Sequence, residues 1–112
     1  MIKVINIHHN KEEKGEYIGR PSVIGNPYSH LQKTKAEFRT KSREEAIDKY
    51  KEWITEQIET NQSVRDELNR LYLIAKRGEL ILKCFCSPLP CHGDVIKNLI
   101  EEKIKNNQRK RK

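Results

Sequence analysis

Two short apolar runs, "IKVINI" at residues 2–7 and "ELILKC" at 79–84, constrain the fold of this chain more than any other feature. Both are rich in branched side chains, and apolar and polar residues alternate in the first, as on a half-buried strand. Helical patterns lie between them. Ser42 and Glu45 form a capping box, and Ile47, Tyr50, Ile54 and Ile58 then recur at spacings of three and four, with Ala46 and Trp53 flanking the same face. Ser63 with Asp66 resembles a second cap, followed by Val64, Leu68, Leu71 and Ala75, and Gly78 stands where a helix should end. A strand–helix–strand order implies a parallel pair joined by a right-handed crossover. The sequence therefore predicts parallel strands over 2–7 and 79–84, a short extended piece at "YIG", and a last amphipathic helix marked by Val95, Ile96, Leu99, Ile100 and Ile104. The fold class is α/β: a small two-layer or three-layer domain with a short, mainly parallel sheet and about three helices.

At 112 residues the chain has the length of one domain, and 35% hydrophobic content limits it to a small core. No apolar run approaches the roughly 18 residues of a membrane span. The opening apolar stretch stops at Ile7, too early for a secretion signal. The expected location is cytoplasmic, and the three cysteines, an odd number, agree with a reducing compartment. The net charge is +7, but five of those charges lie in residues 105–112, which leaves +2 for 1–104. The expected organisation is one α/β domain over 1–104 and a basic C-terminal tail over 105–112. Such a tail gives weak, salt-sensitive, non-specific attraction to nucleic acid, or simply a solvated helix end.

The stretch "CFCSPLPCHGDVI" holds every cysteine. It leaves the carboxyl end of the second main strand and enters a helix, and in open α/β sheets the ligand crevice lies outside the carboxyl ends of the strands. The first strand ends at His8 and His9, so either could face Cys84, Cys86, Cys91 and His92 across one crevice. Three readings are open. Zinc would find four ligands of the right types in Cys84, Cys86, Cys91 and His92, but in an unfamiliar spacing that needs a kink between the last two; no cofactor is favoured. A reactive-thiol reading places Cys91 near a helix start that favours thiolate, with His92 as base or anion donor. Asp94 then caps the helix or orients His92. In the third reading the cysteines are small buried hydrophobes and His92 is a capping group.

A second block, "GRPSVIGNP", sits in a long stretch without helical period. Arg20 offers a planar fork suited to phosphate or carboxylate. Gly19 and Gly25 allow close backbone approach, Pro21 and Pro27 stiffen the loop, and Ser22 and Asn26 add hydrogen-bonding groups. The alternative is that these residues only shape turns, with Arg20 paired to an acid.

The blocks "YIGRPSVIGNPY" and "CFCSPLPCHGDVI", with the strand "KVINI", resemble the signature of the family called domain of unknown function 4326, small proteins of bacteria and their phages. The pattern falls on Gly19, Arg20, Pro21, Ser22, Gly25, Asn26 and Pro27, then Tyr50 and Trp53, then Cys84, Cys86, Pro88, Cys91 and His92. Phe85 stands where the pattern has Trp, and the "EFRT" region and the tail look private to this chain. The resemblance spans most of residues 2–100. It implies a domain boundary, a site, and a bacterial cytoplasm or a host cytoplasm for a phage protein, but assigns no reaction. The expected function is binding, with processing left open, of a phosphate-bearing small molecule such as a nucleotide. Gly19, Arg20, Ser22, Gly25, Asn26 and His8 would bind it, and Cys91, His92 and Asp94 would carry any chemistry. The alternative is a non-catalytic nucleic-acid-associated or host-interaction module, with zinc as a stabiliser, that uses the tail.

Overall fold

The computed structural model describes residues 2–6, 14–19, 22–29, 38–84 and 91–110, with backbone alone at 28–29, 38–39 and 107–110. In chain order these form β1 (Ile2–Asn6), β2 (Glu16–Tyr17), β3 (Tyr28–Ser29), β4 (Phe38–Arg39), α1 (Arg43–Thr60), α2 (Gln62–Arg77), β5 (Leu80–Cys84) and α3 (His92–Lys110). The main sheet has the order β1-β5-β2 and is parallel throughout. Ile2 lies opposite Leu80 and Asn6 opposite Cys84, so β1 and β5 end at the same edge. On the other side of β5, Glu16 pairs with Leu82 and Tyr17 with Lys83. The Ile18 N–H then continues the ladder to the Lys83 carbonyl at 3.1 Å. The extended piece expected at "YIG" is thus a strand that starts one residue earlier. β3 and β4 make a separate parallel pair.

The face that carries the core is set by the alternation in β5. Leu80, Leu82 and Cys84 are buried, whereas Ile81 and Lys83 are half-buried. Parallel register places Ile2 and Val4 of β1 on the same face as Leu80 and Leu82. α2 and α3 pack against β5, and α1 lies against both helices. Ile18, Ile24, Tyr50, Ile54, Val64, Leu71 and Ile96 close the core between them. Burial of one such aliphatic side chain stabilises by about 1.5–3 kcal/mol.

The helix ends follow local chemistry. Ser42 caps α1 by accepting the Glu45 N–H at 3.1 Å, as the capping box predicts. The start of α2 departs from expectation. Its cap is Asn61, whose side-chain oxygen accepts the N–H groups of Ser63 at 3.0 Å and Val64 at 3.4 Å. The Asn61 N–H also closes α1 by donating to the Gln57 carbonyl at 2.8 Å. One residue thereby ends one helix and starts the next, a contribution of about 0.5–2 kcal/mol from the N-cap alone. Ser63 lies inside the helix, and Asp66 instead accepts from the Gln62 side chain at 2.7 Å. Gly78 ends α2 in a backbone conformation (φ 159°, ψ −118°) that residues with a side chain rarely adopt. α3 continues past Ile104 to Lys110, so residues 105–110 form its last turns. Arg70 ties α2 to the sheet: its guanidinium grips both Glu67 oxygens, at 2.6 and 3.0 Å, and also bonds Glu16 of β2. These carboxylates hold the guanidinium firmly in its charged form. No helix among the described residues is long and apolar enough to cross a membrane.

Candidate functional site at the carboxyl edge of the sheet

Cys84 is the last residue of β5, and Cys91 immediately precedes α3. Cys91 occupies the cap position of α3, where a serine or threonine is usual. Its sulfur accepts the Gly93 N–H at 3.3 Å, and its own N–H donates to Asp94 Oδ2 at 3.1 Å. The Asp94 carboxylate supplies the return bond of a capping box, while the sulfur takes the N–H one residue earlier than the cap side chain of that motif does. The return bond puts the Asp94 carboxylate in the first turn of the helix, where the dipole favours an anion. The Cys91 sulfur also lies 3.4 Å from that of Cys84, and both are buried.

His92 opens α3 and is only 8% exposed. Its Nε2 stands 2.7 Å from the Ile18 carbonyl. A carbonyl can only accept, so Nε2 carries the proton and donates. This bond fastens the start of α3 to the chain just beyond β2. Gly93 makes the approach feasible. A Cβ there would lie 2.8 Å from Val4 Cγ1 and 3.0 Å from Ile18 Cδ1, so only glycine lets the helix come this close.

The "GRPSVIGNP" block reaches the same region through Ile18 and Tyr50. The Ser22 N–H donates to the Gly19 carbonyl at 2.8 Å, and the Gly25 N–H to the Ser22 carbonyl at 2.9 Å. The Ser22 hydroxyl accepts the Ile24 N–H at 3.4 Å. Asn26 is buried and donates from its side-chain amide to the Ala46 carbonyl of α1 at 3.5 Å. One helical turn further on, the Tyr50 hydroxyl donates to the Ile24 carbonyl at 2.6 Å. The Tyr50 ring meets the His92 ring edge-on, with centroids 5.1 Å apart. Burial first, and the charge of nearby Cys91 second, hold the Tyr50 phenol well above its usual value.

The structure therefore gathers Gly19, Ser22, Gly25, Asn26, Cys91, His92 and Asp94 around one corner of the domain, linked through Ile18, Ile24 and Tyr50. Arg20, His8 and Cys86 lie outside the described residues. So does part of the four-residue zinc set, and among the described residues no group of three or more His, Cys, Asp or Glu side chains is placed to hold a metal. Beside the loop, a shallow open depression is lined by Ser22, Val23, Ser63, Asp66, Glu67 and Arg70. Two groups that organise the corner escaped the sequence reading. The Ile18 carbonyl carries no side-chain signature. Tyr50 reads as core from its helical stripe, and the polar handle of a buried tyrosine was the available signal for its second role.

Comparison with known proteins identifies a family. The family described as "Domain of unknown function (DUF4326)" matches residues 5–102, which include both blocks. An uncharacterised 12.4 kDa protein in the nrdA-td intergenic region of enterobacteria phage T4 is 34% identical over 65 residues, 58% of this chain. That match covers 55% of the phage protein, little more than half its length. No solved structure matches the chain.

Proposed function

The chain belongs to the family of domain of unknown function 4326, and from that premise we propose that it binds a small phosphate-bearing molecule, a nucleotide first, where the Arg20 loop meets the Cys91–His92 turn. The observation that carries this reading is the 2.7 Å bond from His92 Nε2 to the Ile18 carbonyl. It holds the start of α3 against the chain two residues before Arg20. The first turn of a 19-residue helix favours an anion through its N–H groups and dipole. An arginine fork beside it would engage phosphate from a second side. Any processing of the ligand would fall to Cys91 and His92, with Asp94 positioning the turn. The test is a thermal-shift series with ATP, ADP and inorganic phosphate on the wild type and Arg20→Ala. A ligand at 100 times its Kd stabilises by about 2.7 kcal/mol. The expected result is a rise in Tm for the wild type and none for Arg20→Ala, whose ligand-free Tm stays unchanged. No response from the wild type, or an equal response from the variant, refutes the reading.

A second reading rests on α3. Its helical course to Lys110 places Lys105, Arg109 and Lys110 along one continuous helical arm. A nucleic-acid-associated or host-interaction role would use that arm, and its binding would weaken steeply with salt.

A further inference from the structure

We propose that Cys84 and Cys91 form a reversible oxidation site, which closes to a disulfide under peroxide and fastens the start of α3 to the end of β5. The inference goes beyond the ligand reading and does not rest on it. Three observations converge. The two sulfurs are 3.4 Å apart, in contact but not bonded. A disulfide is about 2.05 Å long, so a closing movement of roughly 1.4 Å suffices. The pair is held by regular structure on both sides, Cys84 by its strand pairing and Cys91 by the reciprocal cap with Gly93 and Asp94. Finally, the Gly93 N–H points at the Cys91 sulfur, and a helix N-terminus favours thiolate.

The chemistry requires a two-electron oxidant, and hydrogen peroxide is small enough for two buried sulfurs. The Cys91 thiolate attacks one peroxide oxygen. The O–O bond breaks, hydroxide leaves, and Cys91 becomes a sulfenic acid. Cys84, as thiolate, then attacks the Cys91 sulfur, the S–S bond forms, and the sulfenic oxygen departs with protons as water. In sum, two thiols and one peroxide give one disulfide and two waters. A dithiol reductant reverses the step by exchange.

The test treats reduced, desalted full-length protein with peroxide and follows thiol titration, intact mass and peptide mapping. The wild type is expected to lose two of its three thiols. It should become lighter by two hydrogens, yield a linked peptide joining Cys84 to Cys91, and recover fully in dithiothreitol. Cys86→Ser should behave in the same way. In Cys84→Ser made on the Cys86→Ser background the sulfenic acid has no other thiol in the chain, so dimedone should label Cys91, which it does not label in the wild type. Persistence of all three thiols overturns the proposal, as does a mapped bridge through Cys86 or between two chains. If Cys84→Ser does not fold, Cys86→Ser still decides: a variant that keeps both remaining thiols under peroxide refutes the pair.

Discussion

Replacing Tyr50 with Phe isolates one hydrogen bond at the centre of the domain. The ring stays, so the packing against Trp53 and His92 is retained and no cavity opens. What is lost is the 2.6 Å donation to the Ile24 carbonyl. A typical intramolecular hydrogen bond contributes about 0.5–1.5 kcal/mol net. Here the cost should be higher, because Ile24 is fully buried and its carbonyl would lose this donor. Stranding a buried acceptor costs about 1–3 kcal/mol. The expected destabilisation is therefore about 2 kcal/mol, well below the roughly 3–5 kcal/mol of an aromatic-to-alanine change in a core. The assay is urea unfolding, with a lower midpoint at an unchanged slope. Because the bond anchors the 22–27 loop to α1, amide exchange at Ile24 and Gly25 should accelerate more than exchange in β5. A loss under about 0.5 kcal/mol, within the range of a neutral surface change, or uniform acceleration of exchange, would refute the claim that Tyr50 holds the loop.

The same phenol predicts a pH dependence. Its value is raised in the folded state by burial, so the folded chain keeps a proton that the unfolded chain loses above about pH 10. The stabilisation is fully present below about pH 10 and declines above it at roughly 1.4 kcal/mol per pH unit. Tyr50→Phe lacks this component, so the stability gap between wild type and variant should narrow as urea titrations move from about pH 9 to about pH 11; a constant gap contradicts it. Gly93→Ala should destabilise by about 1–3 kcal/mol through overpacking, because the added Cβ meets Val4 at 2.8 Å and Ile18 at 3.0 Å. Thermal unfolding measures it, and an unchanged Tm would mean that the helix start is free to shift.

The strands and helices were legible because their burial follows simple periods. The apolar run at 79–84 gave the strand, and the strand–helix–strand order gave its parallel partner; the alternation that buries Leu80, Leu82 and Cys84 is what the structure adds. The stripe from Ile47 to Ile58 and the Ser42–Glu45 box gave α1 with its true start. The start of α2 was not legible because two cap patterns overlap. Ser63 with Asp66 matches the usual motif, but Asn61, two residues earlier, offers an amide oxygen that reaches two N–H groups. Sequence spacing cannot weigh one geometry against the other. The place of the candidate site in the fold was legible as far as the strand order reached: parallel β1 and β5 end together, and the chain after β5 returns as a helix at that edge. The contacts that complete the corner are different in kind. Ile18 and Ile24 take part through backbone carbonyls, which every residue possesses, so no pattern of side chains marks them.

That distinction bears on where a ligand's specificity would reside. The polar side chains of the "GRPSVIGNP" block within the described residues are turned to the protein itself. Asn26 donates to the Ala46 carbonyl, and the Ser22 hydroxyl receives the Ile24 N–H. Across the corner, the Asp94 carboxylate holds the Cys91 N–H and His92 Nε2 holds the Ile18 carbonyl. Each of these groups, if redirected to a ligand, would first have to give up a bond that shapes the loop or caps the helix, and buried groups left without partners cost about 1–3 kcal/mol apiece. Ser22, Asn26 and Asp94 are therefore better suited to hold the corner rigid than to read a substrate. Rigidity of this kind lowers the entropy lost on binding. For the proposed ligand, recognition would then fall to the guanidinium of Arg20, whose planar fork suits phosphate, and Arg20→Ala is the substitution that most directly separates recognition from scaffold.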